Sequence, residues 1–121
     1  MTPLAWKSRA PAAHLLLAVF AGLTALAALP AHAEMPVFHL TMKNGRFEPE
    51  EIRVPANTRF KLTLKNEGPE AEEFESIELK KEKVLAAGAS SFLVFAPLKP
   101  GTYRFFGEFH PDTAQGRIVA R

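Results

Sequence analysis

Tyr103-Arg104-Phe105-Phe106-Gly107-Glu108-Phe109-His110-Pro111 reads as an aromatic strand running into a loop that closes on His-Pro. Upstream and downstream of it the chain repeats one pattern, short apolar runs bounded by Gly, Pro and Asn. Val37 to Met42 alternates, with Phe38, Leu40 and Met42 on one face. Glu51 to Val54 is short and closed by Pro55. Phe60 to Leu64 alternates strictly, with Lys61 and Thr63 turned outward. Glu73 to Ile77, Ser91 to Phe95, Thr102 to Phe106 and Arg117 to Ala120 complete a set of seven candidate strands. Period-two alternation at this spacing predicts an all-β sandwich. Ser91 to Phe95 is apolar enough to predict burial on both sides. Asn44-Gly45, Pro55-Ala56-Asn57 and Lys99-Pro100-Gly101 supply the reversals. Leu79 to Leu85 reads as a turn of helix or a loop, too short to matter alone.

The N-terminus stands apart. Lys7 and Arg9 precede an apolar run from Leu15 to Leu29, Pro30 breaks it, and Ala31-His32-Ala33 precedes Glu34. A basic segment, a short apolar core and a small-x-small site predict a cleaved secretory signal over 1–33. The run is shorter than the roughly 20 residues of a spanning helix. The expected mature chain is one domain over 34–121, located in the periplasm and not integral to the membrane. Removing Lys7 and Arg9 from 15 basic residues leaves 13, equal to the 13 acidic ones. A neutral domain is a poor nucleic-acid binder, because that binding rests on neutralising phosphates with Lys and Arg. The chain has no Cys, which excludes thiolate metal sites and disulfide staples. Stability must then come from a packed apolar core.

Several phrases together resemble the cupredoxin family. Phe47-Glu48-Pro49-Glu50-Glu51-Ile52-Arg53-Val54-Pro55-Ala56-Asn57-Thr58 is similar to its Phe-x-Pro-x-x-Ile-x-Val-Pro-Ala-Gly-Thr run. Phe60 to Asn66 resembles the core strand that follows. Lys99-Pro100-Gly101-Thr102-Tyr103 resembles the approach to the ligand strand, and Gly116-Arg117-Ile118-Val119 the exit from it. The resemblance covers Val37 to Ala120 and implies a Greek-key β-sandwich. Blue cupredoxins bind copper through His, Cys, His and usually Met. By that resemblance Glu73 stands at the first His, Gly107 replaces Cys, His110 keeps the second His, and no Met follows. The Glu-Glu-Phe-Glu-Ser and Phe-His-Pro-Asp phrases resemble the divergent, Cys-less domains of bacterial periplasmic iron-uptake systems. That resemblance implies copper and/or iron as cofactor or cargo. It implies an iron-uptake permease or a periplasmic iron-binding protein as partner.

Sandwich topology is expected to bring the 66–75 and 107–115 loops to one pole. Glu73, Glu75, Glu108, His110 and Asp112 are therefore the candidate metal ligands. Imidazole with carboxylate oxygens suits Cu(II), Fe or Zn rather than Cu(I). Each also has a plainer role. Six glutamates from Glu67 to Glu78 make a solvated acidic face the ordinary reading, and Asp after Pro is common turn chemistry. Met42 shares the parity of core residues, while His39 faces away from them. Lys80, Lys81 and Lys83 either balance the glutamates or dock an acidic partner.

Three functions remain open on these grounds. One is a metal-binding redox or handover partner in iron uptake. Another is a metal-free β-sandwich interaction module at the membrane or in the periplasm. The last is a ferroxidase, which needs an open coordination position. Hydrolase and transferase chemistry finds no motif here.

Overall fold

A computed structural model describes residues 1–5 and 34–121. The expected signal segment lies almost wholly outside the described residues. The domain over 34–121 is built from strands β1 (Val37–Lys43), β2 (Arg46–Glu48), β3 (Glu51–Val54), β4 (Phe60–Asn66), β5 (Glu72–Ser76), β6 (Lys81–Leu85), β7 (Ser90–Phe95), β8 (Gly101–Phe106) and β9 (Gln115–Ala120). They form two sheets, ordered β2-β1-β4-β7 and β3-β9-β8-β5-β6. The expected sandwich is present, with nine strands among the described residues in place of about seven.

Alternation explains the facing surfaces. Leu40 and Met42 of β1, and Phe60, Leu62 and Leu64 of β4, are buried, and their sequence neighbours face out. Five fully buried phenylalanines link the sheets. Phe60 stacks on Phe95 with centroids 4.8 Å apart, and Phe95 meets Phe74 edge-on at 6.4 Å. Phe74 lies 4.8 Å from Phe105, which meets Phe47 at 5.1 Å. Edge-to-face and offset contacts of this kind add to area burial, and they take the place of disulfides in this Cys-free core.

Asn44 and Gly45 both adopt positive φ, 52° and 65°, the two-residue turn whose twist suits a hairpin. It pairs β1 with β2 through Lys43 and Arg46. Sequence reasoning missed β2 because only Phe47 of its three residues is apolar. Two further expectations are corrected. The 79–85 segment contains strand β6 and no helix, because Lys81 to Leu85 pairs residue by residue with β5. Strand β7 is not buried on both sides. It is a sheet edge, and Phe92 on its outer face is 53% exposed, covered by the Lys61 ammonium 4.2 Å from the ring centroid.

Candidate metal centre

Strand β5 decides the site, because its residues alternate between two environments. Phe74 sits in the core, so Glu72 shares the inner side and Glu73 and Glu75 turn to the outer side. Glu72 is nonetheless polar and almost fully buried, and it needs a partner. His110 provides it, with Nδ1 2.5 Å from Glu72 Oε2 and Nε2 3.7 Å from Glu70 Oε2. Glu72 Oε1 also accepts the Glu73 backbone N–H at 3.1 Å.

The loop after β8 is wound to deliver His110 there. The amide of His110 donates to Gly107 O at 3.1 Å, and Ala114 N–H donates back to His110 O at 2.8 Å. Two glycines make room. A Cβ on Gly45 would lie 2.9 Å from the His110 ring, and one on Gly107 would lie 2.6 Å from Glu72 Oε1. The Glu72 carboxylate therefore fills the space that a side chain at position 107 would occupy. Asn66 pins the opposite loop. Its side-chain nitrogen donates to Glu70 O at 2.7 Å and Leu85 O at 3.1 Å, and its oxygen accepts Gly68 N–H at 3.0 Å.

A second cluster lies on the outer side of β5. Ligand-capable oxygens of Glu73, Glu75 and Glu108 all fall within 4.8 Å of one another. Glu82 joins them from β6, where it pairs in register with Glu75. Glu73 is only 1% exposed, and its Oε2 has no hydrogen-bond donor among the described residues. Burial, followed by the facing Glu108 and Glu82 carboxyls, pushes its pKa up to about 8. Carboxylate against carboxylate is satisfied only by a shared proton or a cation. All donors are hard oxygens, a set suited to hard cations and unsuited to a thiolate blue-copper centre.

The single constellation expected from sequence is thus split in two. Glu73, Glu75 and Glu108 converge. His110 does not join them, because the two-residue period of β5 places its partner, Glu72, on the opposite side of the sheet. Asp112 joins neither group and is exposed in the loop. Glu70, Glu72 and Glu82 were missed. The signal for Glu72 was its shared parity with Phe74. Glu82 was hidden by reading its segment as a helical turn or loop.

Sequence and structure comparisons agree with this frame. The sequence pattern of the cupredoxin-like domain family matches residues 14–120. This chain belongs to the cupredoxin-like domain family. An uncharacterised protein of Rickettsia prowazekii (strain Madrid E) is 44% identical over 80 residues, 66% of this chain and 64% of that protein. The chain thus spans less than two thirds of that relative's length. Among solved structures, reduced auracyanin from Roseiflexus castenholzii superposes with a TM-score of 0.62 at 15% identity, covering 74% of this chain and 99% of that one. The metal-binding domain of the Streptococcus pneumoniae Cu(I)-exporting P-type ATPase CopA, solved with Cu(I), gives 0.62 at 14% identity, covering 70% and 84%. A purple cupredoxin from Nitrosopumilus maritimus gives 0.54 at 17%, covering 69% and 99%. At these identities the likeness is one of fold. This cupredoxin-like domain keeps the scaffold, has no cysteine and pairs His110 with a buried glutamate.

Proposed function

We propose that this cupredoxin-like protein binds a metal cation, iron and/or Cu(II), in the carboxylate cup of Glu73, Glu75, Glu108 and Glu82. In this reading it is a periplasmic protein, exported by its N-terminal segment, that serves iron uptake as a redox or handover partner of a permease or an iron-binding protein. The observation that carries the metal reading is the buried Glu73 carboxylate, whose Oε2 lacks a donor and faces other carboxylates. Burying such a group without a partner is costly. Without metal a retained proton meets that cost; a cation displaces the proton and takes its place, drawn in by the remaining negative carboxylates. Copper, when bound, would supply one-electron chemistry, while the carboxylates hold and orient it. Iron would be the cargo. The resemblance to iron-uptake domains supports the choice of metal.

Anaerobic equilibrium titration with Fe(II), and aerobic titration with Cu(II), tests this. Saturable binding near one equivalent is expected, weakened roughly tenfold or more by Glu73→Gln, as for loss of a group that supports a metal. Equal saturable binding by wild type and Glu73→Gln would refute the site, and no saturable binding by either would favour a metal-free interaction module.

A further inference from the structure

Beyond the cup, the outer face of the β8–β9 pair holds an open polar cavity of about 480 Å³, bordered by Glu50, Thr102, Arg104, Phe106, Gln115 and Arg117. Arg104 and Arg117 are directly opposed across the strands. Like charges in that position repel, and both side chains stand exposed, where an anion can reach their positive charge. Glu51 compensates only part of it. Its carboxylate is shared between Arg53 at 3.0 Å and Arg117 at 3.2 Å, and those two guanidiniums, Arg53 first, hold its pKa below the usual carboxylate value. No described carboxylate pairs with the Arg104 guanidinium. Among the described residues, the one acidic side chain lining the cavity is Glu50.

We propose that this cavity binds a small multivalent carboxylate. Guanidinium forks match carboxylates in a bidentate, charge-assisted geometry. Two of them side by side favour a ligand with more than one carboxylate. Thr102 adds a hydroxyl, and Phe106 presents a wall for the ligand's carbon skeleton. The volume lies within the range of small-molecule sites. Phe106 is also the register partner of Glu75, so the cavity and the carboxylate cup adjoin across one side chain. A hard cation travelling as a carboxylate chelate would meet both sites together. That last consequence rests on the metal reading above, whereas the anion site stands without it.

The test uses metal-free protein and citrate, so that failure of the metal reading leaves it intact. Amide shifts are followed by NMR during citrate titration at constant ionic strength. Saturable shifts at residues 102–106 and 115–117 are expected, with affinity about tenfold weaker in Arg104→Gln and the melting temperature unchanged or higher. Acetate at matched ionic strength should not reproduce them. Absence of saturable shifts, unchanged affinity in Arg104→Gln, or an equal response to acetate would each overturn the proposal.

Discussion

His110 Nδ1 lies 2.5 Å from Glu72 Oε2, and the other oxygen of that carboxylate lies where a side chain at position 107 would begin. The Glu72 carboxylate therefore takes the space that a side chain at position 107 would need. Putting a cysteine at Gly107 sets its Cβ 2.6 Å from Glu72 Oε1 and 2.9 Å from the Ala114 methyl. Overpacking of this kind costs about 1–3 kcal/mol. Gly107→Cys should melt earlier than wild type and show no intense thiolate–copper band with Cu(II). Adding Glu72→Ala removes one of the two clashes and should recover part of the stability, read by denaturant unfolding.

The Glu73 carboxyl gives stability a pH dependence of unusual sign. It holds its proton to about 8 in the folded protein, against 4.5 ordinarily. Between those values the folded state binds more protons than the unfolded one, so stability falls as pH rises through the window and levels off above it. The expected loss from about pH 5 to about pH 9 is a few kcal/mol. Denaturant unfolding across that range measures it. Glu73→Gln should flatten the curve and exceed wild type at the alkaline end. A wild-type curve that rises with pH through this window would contradict the assignment.

Asn66 carries the loop that presents Glu70 and Glu72. Asn66→Ala would leave the buried Leu85 carbonyl and its neighbours without their donor. An unpaired buried group costs about 1–3 kcal/mol. Hydrogen exchange should quicken at Gly68, whose amide loses its acceptor, before it quickens in the Phe60–Phe95 core.

The sandwich was legible because β1 and β4 each have one buried face, and a one-sided strand alternates in sequence as it does in space. Strand β6 was not, because it is a sheet edge and alternates Lys81, Glu82 and Lys83, the charged pattern that guards edges against further pairing. With β6 unseen, Glu82 had no place near the site. Likewise, family likeness pointed to Glu73 as the partner of His110, while the parity of Phe74 pointed to Glu72. Three carboxylates of the cup were named from sequence, yet the burial of Glu73 was not readable. It depends on the Glu108 loop and on β6 closing over the same spot.

The proposed cation site is the outer carboxylate cup, apart from the retained imidazole of His110. Pulsed electron paramagnetic resonance of the protein at one equivalent of Cu(II), with histidine ring nitrogens labelled, tests it directly. Oxygen coordination that disappears in Glu73→Gln and is unchanged in His110→Ala is expected. A ring-nitrogen coupling that vanishes in His110→Ala would contradict it.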